Sequence, residues 1–175
     1  IATRCAKLEA MSDSIKRHVA WIEFTPDGTV LEVNDLFLGV IGYRKEEVLG
    51  NHHRMFCDKH YAESADYREF WRKLQAGEAF SNTFSRRHKS GEVLWLEATY
   101  IPITEKECVE RVVKIAHDVT ATKNLQDEFA KIQTSLDKSM ALIEFSVDGV
   151  VRKVNQNFLQ VMGYREQDVI GKHHK

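Results

Sequence analysis

The chemically richest stretch of the chain is His52-His53-Arg54-Met55-Phe56-Cys57, with His60 close behind. Imidazole and thiolate hold soft and borderline metals, and they also serve as base and nucleophile. His53, Cys57 and His60 stand at i, i+4 and i+7, so a helix through this stretch would line them on one face. A closed zinc site wants four ligands, and no fourth is evident. A Cys–His pair working as nucleophile and base needs a third group to orient the imidazole, and none is evident. A histidine pair at the end of a short helix has a simpler use, capping free carbonyls and hydrogen-bonding to the backbone. No glycine-rich phosphate loop, paired catalytic carboxylates or nucleophile elbow accompanies the cluster. The residues therefore predict a binding or structural role, not an enzyme.

The elements that must position this stretch are short. Residues 20–24 read as a strand, Pro26-Asp27-Gly28 as a turn, and residues 29–34 as the returning strand of a hairpin. Residues 35–42 and 45–49 read as short helices, the first ending at Gly42 and the second just before Gly50. A longer helix over 64–75 carries Tyr67, Phe70, Trp71 and Leu74 at i, i+3, i+4 and i+7. Three strands follow, over 80–88, 93–103 and 111–119, the first two joined by Lys89-Ser90-Gly91-Glu92. On the middle one Leu94, Leu96, Ala98 and Tyr100 share a face, and Trp95, Glu97, Thr99 and Ile101 share the other, so both faces are expected to be covered. The expected core is Phe37, Met55, Phe70, Leu74, Phe84, Leu96 and Ile115.

The chain then starts again. Ile22-Glu23-Phe24, Asp27-Gly28, Val33-Asn34, Phe37-Leu38, Gly42-Tyr43-Arg44 and His52-His53 return in order as Ile143-Glu144-Phe145, Asp148-Gly149, Val154-Asn155, Phe158-Leu159, Gly163-Tyr164-Arg165 and His173-His174. So long a period indicates whole domains in tandem. The expected organisation is an amphipathic N-terminal helix over 1–19, a complete domain over 20–120, a helical linker over 121–142 and the incomplete N-terminal part of a second domain over 143–175. Leu8, Met11, Ile15 and Val19 form the first helical stripe; Leu125, Phe129, Ile132, Leu136 and Met140 form the second, close to a heptad. Each helix either lies on its own domain or pairs with a second copy as a parallel coiled coil. The second segment is too short to bury a core alone. If it is ordered, a second chain exchanging elements is expected over Phe145, Val154, Phe158 and Val161.

The balance of 25 basic and 26 acidic residues leaves no basic stripe for nucleic acid. No apolar run in this fragment approaches a membrane span of about 20 residues. Cys5, Cys57 and Cys108 are odd in number and irregularly spaced, as expected of reduced thiols in the cytoplasm.

Several groups of residues, taken in order, carry a resemblance. Asn34, Phe37-Leu38, Gly42-Tyr43 and Val48-Leu49-Gly50, then Arg86, Lys89-Ser90-Gly91, Trp95 and Pro102-Ile103, then Asp118-Val119-Thr120, resemble the signatures of the PAS domain family. The resemblance implies an α+β fold, a five-stranded antiparallel sheet with short helices on one face, flanked by the two amphipathic helices. A narrower resemblance, to tandem PAS modules of soluble bacterial methyl-accepting chemotaxis transducers of biofilm-dispersal and aerotaxis type, rests on Gly50, His52-His53-Arg54, Phe56-Cys57, Tyr61, Ser64, Tyr67, Phe70-Trp71, Leu74, Gly77-Glu78, Trp95-Leu96-Glu97-Ala98, Tyr100 and Pro102. It implies a sensory module that reads redox state, oxygen or a small ligand, a downstream signalling domain, and a homodimer through the helices and the sheet. Haem b would be held by His53 or His60, although the last strand lacks the Trp that oxygen-binding relatives place there. FAD would meet Arg54, with Phe56, Trp71, Asn82 and Phe84 around the pocket, although Phe80-Ser81-Asn82 replaces a Trp and a Gly-Glu pair. The third reading is a pocket that binds nothing. Asp118 and Thr120 would cap the linker helix and, with the Trp95 face of the sheet, pass the signal on. The rivals are a cofactor-free dimerisation module and the sensor region of a histidine kinase or cyclic-dinucleotide enzyme.

Overall fold

The computed structural model describes residues 2–175 apart from the side chains of residues 2–5 and 8, so Cys5 and the Leu8 member of the first stripe lie outside the described residues. The chain forms two compact units that divide after Ala121. The first holds α1 (Ala2–Lys16), β1 (Ala20–Phe24), β2 (Val30–Val33), α2 (Asp35–Ile41), α3 (Lys45–Val48), a 3-10 turn (His53–Phe56), α4 (Lys59–Glu63), α5 (Ala65–Gln75), β3 (Phe80–Arg87), β4 (Val93–Glu105) and β5 (Cys108–Asp118). Its five strands form one antiparallel sheet in the order β2-β1-β5-β4-β3. This is the expected α+β architecture, with the helices on one face of the sheet.

Local chemistry explains the short helices. The Asn34 carboxamide oxygen accepts from the Phe37 amide at 2.9 Å and caps α2, which stops at Gly42 with φ +73°. The same side chain ties α2 to the incoming helix. Its Nδ2 donates to the carbonyls of Lys16 and Val19 at 2.6 and 2.7 Å. Ser64 caps α5, and Tyr67, Phe70, Trp71 and Leu74 are its buried face. α1 behaves differently from a helix lying on its own sheet, because Met11 and Ile15 are exposed.

Two expectations need correction. The last strand starts at Cys108, earlier than the expected 111, because Lys106 and Glu107 make a tight hairpin with φ of +50° and +69°. Neither residue type announces a turn that needs positive φ. Ile115 is not in the core face: it pairs with Trp21 and Thr99, whereas Lys114 pairs with Ile22 and Tyr100. Residues paired across strands share a face, so Lys114 and not Ile115 points inward.

The second unit carries α6 (Thr120–Ser139) from its Thr122 onward, then β6 (Ile143–Phe145), β7 (Val151–Val154), α7 (Gln156–Met162) and α8 (Glu166–Val169). It repeats the capping pattern that opens the first unit. Asn155 caps α7 through Phe158 and donates to the carbonyls of Asp137 and Met140 at 3.0 and 2.6 Å. Leu125, Phe129 and Ile132 on α6, and Phe145 and Val161 beyond it, are exposed.

Candidate functional site

Turn chemistry brings His52 and His53 to different places. Gly28, at φ +95°, lets the β1–β2 turn pass so close that a Cβ there would meet the His52 and Trp71 rings at 2.9 Å. The His53 amide donates to the Gly28 carbonyl at 2.8 Å, which anchors the start of the 3-10 turn. His52 remains at the surface side as a cap. Its Nε2 donates to the Asp27 carbonyl at 2.7 Å and its Nδ1 accepts from the Arg54 amide at 3.2 Å.

His53 is fully buried. Its ring is enclosed by Phe24, Phe56, Tyr67, Trp71 and Tyr100 with centroids 5.3–6.1 Å away. Nδ1 meets the Tyr67 hydroxyl at 3.0 Å, and Nε2 meets the Tyr100 hydroxyl at 2.9 Å. Arg86 reaches the same Tyr100 oxygen through Nη2 at 3.0 Å. The directions follow from the donors. Arg86 can only donate, so Tyr100 accepts from it and donates to Nε2 of His53. Nδ1 of His53 then carries the proton and donates to Tyr67, whose hydroxyl turns to Nδ1 of His52 at 3.4 Å. A directed chain thus runs from the buried guanidinium to the Asp27 carbonyl. Burial first, then the charges of Arg86 and Lys114, hold His53 well below the ordinary imidazole range, so it stays neutral. Burial likewise raises the Tyr100 phenol to about 12 and pushes the Cys57 thiol up. A protonated, buried thiol is no nucleophile.

Beside this chain lies Lys114, fully buried on β5. Its Nζ sits over the rings of Tyr100 and Phe37 at 5.0 and 5.2 Å and has no hydrogen-bond partner. Arg86 is 2% exposed, and its Nε is also without a partner. Next to Lys114 on the same face, register sets a row of small side chains across the sheet: Ala20, Ala116, Ala98 and Asn82. That row helps line an open groove of about 850 Å³ walled by Leu36 and Val40 of α2.

The expected site residues are therefore dispersed. His53, Phe56 and Trp71 are buried together, and Phe84 is half-buried against Phe70 and Tyr100. Arg54 and His60 are exposed, and Asn82 is an exposed residue of the groove. The 3-10 turn ends at Phe56 and a new helix starts at Lys59, so His60 is not carried to the face of His53 and Cys57. Among the described residues no group of three His, Cys, Asp or Glu gathers at one point.

Haem does not fit these residues. Both nitrogens of His53 are engaged by phenols, and His60 faces solvent. The expected flavin contacts do not surround one space either. His53, Phe70, Phe84 and Tyr100 are in ring contact at 4.9–6.4 Å, so an isoalloxazine would have to displace them. Sequence reading missed Tyr67, Tyr100, Arg86 and Lys114 as polar members of one interior. The only signal was an unexplained Lys inside an apolar strand.

At the far end of the sheet, Trp95 meets the start of α6. Its amide donates to the Thr120 hydroxyl at 2.9 Å, and its carbonyl accepts from the Val119 amide at 2.9 Å. The Asp118 carboxylate accepts from both the Thr120 amide, at 2.9 Å, and the Thr120 hydroxyl. Here the three residues expected to signal do stand together.

Comparison with known proteins agrees with this geometry. A family model described as PAS fold matches residues 30–116, and one described as PAS domain matches residues 139–174. The biofilm dispersion protein BdlA of Pseudomonas aeruginosa is 42% identical over 163 residues, which are 93% of this chain and 39% of that protein. The aerotaxis receptor of Escherichia coli is 25% identical over 104 residues, 59% of this chain and 19% of the receptor. The chain thus spans well under half the length of either relative. Among solved structures, a PAS domain from Colwellia psychrerythraea superposes with TM-score 0.58 at 20% identity, covering 65% of this chain and 98% of that one. An RNA-binding light-oxygen-voltage receptor gives 0.58 at 20% identity, covering 75% and 39%; at such identities these two speak for the fold alone. With the strand order β2-β1-β5-β4-β3, helices on one face and two matching segments, this chain belongs to the PAS domain family and is similar to the sensory region of chemotaxis transducers.

Proposed function

We propose that the chain is the sensory part of a cytoplasmic, dimeric chemotaxis-type transducer. A small ligand, or a change of redox state, acts on the inner face of the first PAS domain, and the change leaves through β4 and α6 to a downstream signalling domain. The observation that carries this reading is the junction of Trp95, Asp118 and Thr120. It hydrogen-bonds β4, the strand that bears Tyr100, directly to the first turn of the linker helix. A shift of Tyr100 along or across β4 therefore changes the donor that Thr120 accepts, and the helix start must follow. The exposed stripes of α1 and α6 suit pairing with a second copy, and the exposed Phe145 and Val161 suit exchange of elements.

The test is hydrogen exchange on the 175-residue chain, with and without cell-extract metabolites, alongside an absorption spectrum of the purified protein, oxidised and reduced. The reading expects ligand-dependent protection at residues 118–125. Protection changes confined to the inner face, with the start of α6 unmoved, refute the signalling route. A Soret or flavin band would identify the ligand and overturn the fit argument against haem or flavin.

A further inference from the structure

Two basic side chains are shut inside the first domain with no acid beside them. Lys114 is fully buried and Arg86 is 2% exposed. Lys114 Nζ and Arg86 Nε are both without a hydrogen-bond partner. Burying one unpaired charge is costly, and burying two near each other more so. The ionisable neighbours acting most strongly on Lys114 are Arg86 and the Cys57 thiol, and on Arg86 they are Tyr100, Cys57 and Tyr61; none is a carboxylate. The buried Glu23 is committed elsewhere, to Lys16 and Arg111 at 3.7 and 3.6 Å.

We infer that Lys114 and Arg86 are the anion-receiving end of the sensory pocket, and that its ligand is a small organic carboxylate with an apolar body. The inference rests on the sensory reading above and names the ligand class for it. The buried, aromatic-walled setting argues for a carboxylate over a phosphate, because a monoanion loses less hydration on entering it than a dianion does. Arg86 places one Nη1 proton on the Ser85 carbonyl at 2.7 Å and one Nη2 proton on Tyr100, and its Nε has no partner. Nε of Arg86 and Nζ of Lys114 are the two nitrogens left wholly without a partner, and a carboxylate has one oxygen for each. Neither Lys114 nor Arg86 lines the groove of about 850 Å³; it opens beside Ala98 and Ala116, and the body of the ligand has a place there. Ala116 is two residues from Lys114 on one strand face, about 7 Å along β5, within reach of a four-carbon side chain. Asp118 and Glu97 also line the groove. They repel a carboxylate there, which orients the head toward Lys114 and leaves the body in the groove. Burial and the nearby Arg86 hold the lone Lys114 well below its ordinary range. An arriving carboxylate opposes this shift and favours the charged amine, so binding draws protons from solvent onto Lys114.

The experiment uses the full 175-residue chain at pH 8, with benzoate as probe and benzamide as its neutral isostere. Thermal unfolding followed by tryptophan fluorescence should shift upward by several degrees with benzoate at 10 mM and not with benzamide. Calorimetry in Tris and in HEPES should show proton uptake with benzoate. Lys114→Met should cost about 10-fold or more in benzoate affinity and abolish the uptake. Arg86→Gln should weaken binding while leaving uptake in place. Equal shifts by both probes, no shift by either, or binding that survives Lys114→Met would overturn the inference. Hydrogen exchange at residues 118–125 separates this from the sensory reading. Benzoate binding without a change there sinks the sensory reading alone. No benzoate effect, but a change there with a different ligand, sinks the anion alone.

Discussion

Lys114→Met is the perturbation from which the interior electrostatics are best judged. The Lys114 amine is fully buried over Tyr100 and Phe37 and donates to nothing. Met has nearly the same length and shape and no polar end. Leaving a buried donor unsatisfied costs about 1–3 kcal/mol, so removing it should stabilise the ligand-free domain by about that much. In a domain of this size about 1 kcal/mol moves the melting temperature by about 4–8 °C. The pH dependence gives a second handle. Burial and Arg86 depress the Lys114 pKa in the native state, whereas the unfolded chain has the ordinary value near about 10.4. Between the depressed native value and that value, the unfolded state holds a proton the native state lacks. Stability therefore rises with pH through this window, by up to about 1.4 kcal/mol per unit, and the contribution is lost as pH falls. The three tryptophans, Trp21, Trp71 and Trp95, all lie in the first unit, so urea titrations followed by their fluorescence report that unit. The expectation is a higher urea midpoint for the variant at pH 7 and a flatter profile between pH 7 and 10. A variant less stable than wild type by more than about 1 kcal/mol, with the same pH slope, would mean that Lys114 is favourably paired, and the reasoning fails.

Tyr100→Phe breaks the directed chain and leaves both Arg86 Nη2 and His53 Nε2 unpaired, so the urea midpoint should fall by an amount equivalent to about 2–4 kcal/mol; a change under about 0.5 would show that the hydroxyl carries nothing. Acid should destabilise the first unit, because the unfolded His53 takes a proton near pH 6.5 that the buried ring refuses; His53→Gln should flatten the urea midpoint between pH 7 and 5, and an unchanged profile counts against a neutral His53. Asp118→Ala removes the acceptor of the Thr120 amide and should cost about 0.5–2 kcal/mol while speeding hydrogen exchange at the first turn of α6; exchange as slow as in wild type contradicts the coupling role. Gly28→Ala puts a Cβ at positive φ, 2.9 Å from His52 and Trp71, and should lower the melting temperature of the first unit by about 4 °C or more; a neutral result means that the turn relaxes freely.

The sequence by itself determined the fold and its duplication. Local signals sufficed where one residue does one job: Gly42 and its repeat Gly163 at φ near +70°, and the apolar face of α5. The Asp118–Thr120 cap was also legible, because a capping motif acts over a few residues of chain; the bond from the Trp95 amide to Thr120 joins residues 25 apart and was not. The contents of the interior were not legible. Val112-Val113-Lys114-Ile115-Ala116 is apolar on both faces, so its period cannot say which residue points inward. Only pairing with Ile22 and Tyr100 turns Lys114 in and Ile115 out. His52 and His53 look equivalent in sequence, and the close pass of Gly28 makes one a surface cap and the other the centre of a buried network. Local spacing decides which elements form; strand register and the meeting of distant side chains decide which polar groups lose their water. That desolvation lowers the pKa of His53 and Lys114, and no linear pattern records it.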